Sequence, residues 1–335
     1  GVDIDEIKRG HSIILTLIKR SQAGRVVYGR GHYAGLVDIG EEKALAIHTD
    51  GVGTKVLIAQ LMDKYDTIGI DCVAMNVNDV ICVGAEPIAF VDYIALKKMD
   101  SGLIKDLTKG LVRGAKESGV AIVGGETAVM PDVIQGVSEK AFDLAGTVVG
   151  LVRKDRIIDG SALRVGDIVI GVESNGIHSN GLSLARKVLL PRYGLKERPK
   201  GLKRTLGEEL LRPTRIYVRP VLEILQKGIE ITGLAHITGG AFTKLRRIGD
   251  VAGIGFDLSD IPEPPPIFGL IQREGRVPDK EMYRTFNMGV GFCVCAPSHS
   301  ADEVEAVFRK YGMNTYRMGR LVSKRGVTVK GLRLT

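Results

Sequence analysis

Polar, glycine-rich loops recur in this chain where an apolar segment stops or a helix begins, and that spacing constrains the fold more than any other feature. Residues 43–49 (KALAIHT) read as a strand that ends at DGVGTK, 50–55. Residues 120–123 read as a short buried strand ending at Gly124, Gly125 and Glu126. Further on, the loop SNGIHSNG (174–181) runs into an apolar-periodic helix at 182–190, and Thr238, Gly239 and Gly240 precede another at 241–248. Polar groups therefore gather at strand ends, and both later loops place free N–H groups at a helix N-terminus.

Periodicity supplies the rest of the outline. Ile7, His11, Ile14, Leu15 and Ile18 predict an amphipathic helix over 5–19, with Asp3, Asp5 and Glu6 where the dipole favours acids. Ile70, Val73, Ala74, Val77, Val80 and Ile81 predict a helix over 68–83, from which Asn76 and Asp79 project together, away from the apolar face. A helix from Leu103 to Ala115 closes at Gly119 in the C′ position. Strands follow at 144–151 and 167–172, with a turn at 157–160 between them, so a domain boundary falls between 150 and 160. The run PEPPP at 262–266 is a stiff connection.

With 335 residues, 44% of them hydrophobic and 26% charged, the chain can form two ordinary cores, and no apolar stretch is long enough to cross a bilayer. Four cysteines (Cys72, Cys82, Cys293, Cys295) are too few for a disulfide framework and point to a reducing cytoplasm. The opening GVDID carries no charged-then-apolar leader, so no secretory signal is expected. The net charge of +8 has a local origin: residues 186–219 hold eleven Lys/Arg against three Glu. That run is either a solvated basic face or a funnel for a small phosphorylated substrate. Without tryptophan, and with only 5% aromatics, a base-stacking platform is poorly supported, and no nucleic-acid partner is expected.

Asp50, Gly51, Gly53, Thr54 and Lys55 put a carboxylate, two permissive glycines, a hydroxyl and an ammonium within six residues, an inventory for phosphate and magnesium. Read alone, it is equally a capped turn with a solvated lysine. Asp79 beside Asn76, and Glu126 after two glycines, add carboxylates at element edges, so Asp50, Asp79 and Glu126 are expected to share a cation. His178 is either a structural hydrogen-bonding residue or a proton-transfer group. The run GRGHYAG at 29–35 is one residue too long for a dinucleotide fingerprint and reads as a flexible surface turn.

Seven blocks then carry a resemblance: HTDGVGTK (48–55), GIDCVAMNVND (69–79) with GAEP (84–87), GGETAVMP (124–131), SNGIHSNG (174–181), RPTRIYV (212–218), HITGG (236–240) and MYRTFNMGVG (282–291). In this order they resemble the signature blocks of the aminoimidazole ribonucleotide synthetase (phosphoribosylformylglycinamidine cyclo-ligase) family. Where family members commonly carry a denser glycine loop, this chain has Arg30, His32 and Tyr33 among Gly29, Gly31 and Gly35.

The resemblance implies an α/β (α+β) fold of two domains: 1–155, binding ATP and Mg²⁺ and pairing its sheet in a homodimer, and 156–335, completing the substrate cleft. It implies ATP-dependent ring closure of formylglycinamidine ribonucleotide, with Asp50, Gly51, Gly53, Thr54, Lys55, Asn76 and Asp79 toward the nucleotide and Asp50, Asp79 and Glu126 toward the metal. Ser174, Asn175, His178, Ser179, Asn180, Gly181, Thr238, Gly239 and Gly240 are the substrate-side candidates, and His178 and Lys55 the catalytic ones. The alternatives are another enzyme of the superfamily, making selenophosphate or a thiamine phosphate, or a basic nucleic-acid-binding protein. A selenophosphate enzyme usually has a cysteine or selenocysteine near its start, whereas the first cysteine here is Cys72.

Overall fold

The computed structural model describes residues 31–335, residues 24–28 and positions 10, 13, 14 and 16–18. Those isolated early positions are helical; the rest of the helix expected over 5–19, and Gly29 and Arg30, lie outside the described residues.

The first half forms a six-stranded sheet from β1 (Val26–Tyr28), β2 (Gly35–Gly40), β3 (Lys43–Gly51), β4 (Glu86–Leu96), β5 (Ala121–Val129) and β6 (Phe142–Arg153), in the order β1-β2-β3-β6-β4-β5. Only β4 and β5 run parallel. Helices α1 (Lys55–Met62), α2 (Ile68–Ile81) and α3 (Ser101–Ser118) belong to this half, and α2 packs on β3 and β6 with α3 beside it. The α2–α3 crossing is close enough that a Cβ on Gly69 would stand 2.2 Å from the Leu111 nitrogen, and one on Gly114 2.9 Å from the Val73 Cβ. Asp100 caps α3 by accepting from the Leu103 N–H at 2.8 Å, and Gly119 ends it at φ 76°, as its sequence requires.

Two expectations change here. Every residue of α2 is buried, including Asp71, Asn76, Asn78 and Asp79, because the second half of the chain covers the face that carries them. And the glycines at 124–125 do not end a strand: β5 runs through them to Val129 as a largely exposed edge strand. Gly125 is needed there because a Cβ would meet the Asp92 carboxylate at 2.6 Å.

The second half builds a seven-stranded sheet from β7 (Ile168–Glu173), β8 (Gly233–His236), β9 (Gly255–Leu258), β10 (Val290–Ala296), β11 (Thr315–Val322), β12 (Gly326–Val329) and β13 (Leu332–Arg333), in the order β13-β12-β9-β11-β7-β10-β8. Its helices are α4 (Leu182–Leu189), α5 (Leu206–Leu210), α6 (Val218–Gln226), α7 (Arg246–Ala252), α8 (Pro266–Gly275), α9 (Asp279–Thr285) and α10 (Ala301–Lys310). The segment after Gly240 is a 3₁₀ turn, Ala241–Leu245, before α7 begins. β10 is buried on both faces, which accounts for the interior positions of Cys293 and Cys295. Gly31 is an exposed turn residue as expected, but Tyr33 and Ala34 are buried against this architecture.

A candidate active site between the two sheets

Strand alternation settles which acids can meet. On β3, His48 and Asp50 alternate with exposed Ile47 and Thr49, and Asp50 pairs with Gly146 of β6, which pairs with Asp92 of β4, opposite Gly125 of β5. Glu126 pairs with Tyr93, one register position on, and therefore points to the other face of the sheet. Asp50 and Glu126 are also three strand spacings apart, about 14 Å. They cannot ligate one ion within a single chain, which corrects the expectation of a shared three-carboxylate site. Among the described residues no three His, Cys, Asp or Glu side chains group closely enough to hold a metal.

Lys55 is corrected as well. Its ammonium is fully buried, 2.9 Å from Asp71, and donates to the Arg212 carbonyl at 2.5 Å. Asp71 also accepts from the Thr214 N–H and hydroxyl, both at 2.7 Å, and from Ser179 at 3.2 Å. Burial pulls the Lys55 pKa down while the Asp71 charge opposes the fall. This ion pair fastens α1 and α2 to the second half and leaves no ammonium free for a phosphate.

Eight residues along α2 a different cluster forms. Asp79 Oδ1 lies 2.7 Å from His236 Nδ1 at the end of β8, and Oδ2 lies 3.6 Å from His48 Nε2. An ionised carboxylate only accepts, so His236 Nδ1 carries the proton, and Nε2 faces the Asn78 amide at 3.4 Å. Burial works against the Asp79 charge, yet the His236 hydrogen bond and the neighbouring His48 carry its carboxyl down to about 2. Burial, and then the Asp79 charge, push Asp50 the other way, above the ordinary carboxylate range. Lys244, in the 3₁₀ turn, faces both acids; burial and then the Arg247 charge hold its ammonium below its usual value.

Asn76 is spent on the backbone, donating to the Asp50 carbonyl at 3.1 Å and the Cys72 carbonyl at 2.9 Å, while its Oδ1 is buried with no partner among the described residues. That leaves one carboxylate and one unpartnered amide oxygen beside the end of β3. Magnesium takes one or two carboxylates plus phosphate oxygens, so this donor set fits it without a closed protein cage.

His178 holds a left-handed backbone at φ 66° and is 2% exposed. Its Nε2 accepts from the Asn175 N–H at 2.8 Å and the Arg215 N–H at 3.4 Å, so the neutral ring keeps its proton on Nδ1. Burial, followed by neighbouring His236 and the positive charges of Lys55, Arg215 and Arg212, drives its pKa well below the ordinary imidazole value. It is a neutral donor, and the nitrogen that could take a proton is already occupied. Ser174 donates to the Gly176 carbonyl, and Asn175 is shared by Arg212 and the Pro213 carbonyl, so both shape the loop from inside.

The remaining candidates converge. A cavity of about 260 Å³ is lined by Asp50, Gly51, Gly53 and Thr54 from the first half and by Ser179, Asn180 and Gly181 from the second. Two helices begin at its wall: α1 after Thr54 and α4 after Gly181, neither with a side-chain cap. Their free N–H groups and positive dipole ends meet in one place, an arrangement suited to phosphate. Gly181 sits at φ 82°, where a Cβ would strike the Phe286 ring at 2.3 Å. Asn180 brings in the other loop: a Cβ on Gly239 would lie 3.0 Å from its Oδ1. Thr238 is buried and Gly240 turns at φ 86° into the 3₁₀ segment, so no α-helix N-terminus stands there.

Part of the basic run at 186–219 is paired: Arg192 with Glu274, Arg204 and Arg212 with Glu209, and Arg215 with Glu173. A larger cavity, about 800 Å³, opens behind the linker between Arg153, Arg156, Leu225 and Thr232, away from the acids. His48, Asp71, His236 and Lys244 have central places that the sequence reading did not assign. His48, Asp71 and His236 stood inside recognised blocks without an assigned role.

Residues 31–152 match the family described as AIR synthase related protein, N-terminal domain, and residues 164–331 match its C-terminal domain. A phosphoribosylformylglycinamidine cyclo-ligase from Methanobrevibacter smithii is 47% identical over 333 residues, covering 98% of this chain and 95% of the relative. One from Methanocaldococcus jannaschii is 49% identical over 326 residues, covering 96% and 91%. Among solved structures, a thiamine monophosphate kinase from Aquifex aeolicus shares the fold at a TM-score of 0.67 and 18% identity, covering 99% of each chain. With both halves matched in order, and relatives about half identical along nearly its whole length, the chain belongs to the AIR synthase related family, among the phosphoribosylformylglycinamidine cyclo-ligases.

Proposed function

We propose that this chain uses ATP to close the ring of 5-aminoimidazole ribonucleotide from formylglycinamidine ribonucleotide, with the reaction centred between the Asp50 cavity and the Asp79 cluster. The observation that carries the site is the convergence of two uncapped helix N-termini beside Asp50. The formyl oxygen attacks the γ-phosphorus, ADP leaves, and the former formyl carbon becomes an iminophosphate. An amidine nitrogen then attacks that carbon, the C–O bond breaks, phosphate departs, and one proton is released as the ring forms. Phosphorylation turns a poor leaving group into a good one, and the held geometry supplies proximity.

In this reading the backbone N–H groups at the starts of α1 and α4 receive the transferring phosphate. Asp50 is ionised to hold magnesium, and Asp79 stays anionic to hold His236 and His48 in place. His178 offers its Nδ1–H as a hydrogen-bond donor. Magnesium, when bound, neutralises charge on the phosphate oxygens, and Asp50 and Asn76 Oδ1 would hold it.

A homodimer through the first sheet belongs to the same reading. The face opposite Asp50 exposes Ile47, Ile88, Val91 and Tyr93, about two-fifths accessible each, and also carries Glu126. Light scattering should give twice the chain mass, and a monomer would count against this. No helix among the described residues is long and apolar enough to cross a membrane. Four buried free thiols accord with the reducing cytoplasm we assign.

Purified protein given ATP, Mg²⁺ and formylglycinamidine ribonucleotide should release one ADP per aromatic amine formed, with little hydrolysis when the acceptor is omitted. Stimulation by thiamine monophosphate or selenide instead, without amine product, would overturn the reading.

A further inference from the structure

A second cavity, about 600 Å³, opens beside α7 and is lined by Gly31, Thr243, Arg246, Arg247, Asp250 and Arg284, with Leu334 and Thr335 at its edge. Its charges do not balance. Arg246 pairs with Asp250 at 2.9 Å, which uses the cavity's one carboxylate side chain. Among the described residues Arg247 donates only to the His32 carbonyl, at 3.4 Å, and it lies 4.9 Å over the Tyr33 ring. Among the described residues neither Arg247 nor Arg284 has a carboxylate within ion-pair distance. Two guanidinium groups thus line one cavity with no carboxylate paired to them among the described residues, and a guanidinium can hold a phosphate by paired N–H donors.

The cavity also lies next to the site already described. The turn that begins at Gly239 and Gly240 leads through Lys244, which faces Asp50 and Asp79, and reaches Arg246 and Arg247 within one further turn. Tyr33, under the Arg247 guanidinium, donates its hydroxyl to the Lys244 carbonyl at 3.3 Å. A ligand whose reacting end lies by Asp50 and whose phosphate lies by Arg247 would follow this turn.

We propose that the Arg247–Arg284 cavity is the subsite for the phosphomonoester of the ribonucleotide substrate. This rests on the ring-closing reading above. A dianionic monoester matches two unpaired guanidinium groups. A magnesium-bound triphosphate does not, because it needs free carboxylates and Asp250 is engaged.

The test is Arg284→Ala in the full-length protein, with Arg284→Lys and Arg247→Ala beside it. Loss of charge-assisted hydrogen bonds should raise the KM for the ribonucleotide by about 10- to 100-fold, with the KM for ATP and kcat within about two-fold of wild type. Arg284→Lys should fall between, since it keeps the charge and loses the fork. Calorimetry with ribose 5-phosphate alone should show binding to wild type that is lost in Arg284→Ala, and ribose should not bind. Unchanged ribonucleotide KM in both alanine variants overturns the assignment, as does ribose 5-phosphate binding that is absent from wild type or survives in both. A loss confined to the KM for ATP would also overturn it, by placing nucleotide phosphates there. If wild type closes no ring, the proposed function fails, and the ribose 5-phosphate titration still decides the cavity.

Discussion

Asp71 and Asp79 lie on the same helix, both buried, and their surroundings divide the work of the molecule. Asp71 is paired within the fold: an ammonium, a backbone N–H and two hydroxyls meet its Oδ1, and Oδ2 lies 2.9 Å from the same ammonium. Asp79 is held by His236 and lies 3.6 Å from His48, and it stays open to Asp50 and Lys244, whose charges it perturbs. A buried charge with every partner built in fastens two halves together. A buried charge that shifts its neighbours' protonation sets up chemistry. The sequence alone does not separate the two, because both are single acids among the apolar residues of one helix.

The largest effect expected is on stability. Asp71→Ala strands the Lys55 ammonium in the interior, and breaking a buried pair in this way costs about 3–5 kcal/mol. Chemical unfolding would measure it, and a loss under about 1 kcal/mol would mean that Asp71 is not the fastening we describe. The contrast sharpens with Asp79→Asn, which should keep most of the stability and lower ring closure by about 10²-fold. Its acid stability should also change sign-consistently. The folded Asp79 pKa, about 2, is below the unfolded value near 3.9, so its stabilisation is present above that value and fades as pH falls toward 2. Asp79→Asn should lack this acid-side loss, and an unchanged unfolding curve between those pH values would break the distinction.

The smallest effect belongs to His178. Asparagine tolerates the left-handed backbone and retains an acceptor, so His178→Asn should cost about 1 kcal/mol and leave the pH dependence of turnover unmoved. His178→Ala should cost more, by leaving the Asn175 and Arg215 N–H groups without an acceptor. A displaced pH profile in His178→Asn would return it to proton transfer.

Much of the outline was legible in the chain. Gly119 as a left-handed cap and the end of β3 near Asp50 follow from residue type and spacing, whereas the meeting of the loops at 50–55 and 174–181 at one cavity is a finding of the structure. What was not legible depends on the other half of the molecule. Asn76 and Asp79 look solvent-facing until a second domain covers α2, and Lys55 looks like a free cation until Asp71 closes on it. Glu126 misled for a different reason: glycines at 124–125 resemble a strand end, yet they let an edge strand pass Asp92, and alternation then turns Glu126 to the far face. His236 stood in the HITGG block with no sign of its partner, which lies 157 positions away.

Asp50 and Asp79 are coupled, and the pH dependence of kcat/KM for ATP reads that coupling directly. In wild type the acid limb should lie above the ordinary carboxylate value, because burial and the Asp79 charge both raise Asp50 and activity needs it deprotonated. Asp79→Asn removes the charge but keeps the burial, so its acid limb should move to lower pH while the maximum falls. Identical limbs in the two proteins, or a limb that moves upward in the variant, would contradict the placement of the chemistry at Asp50.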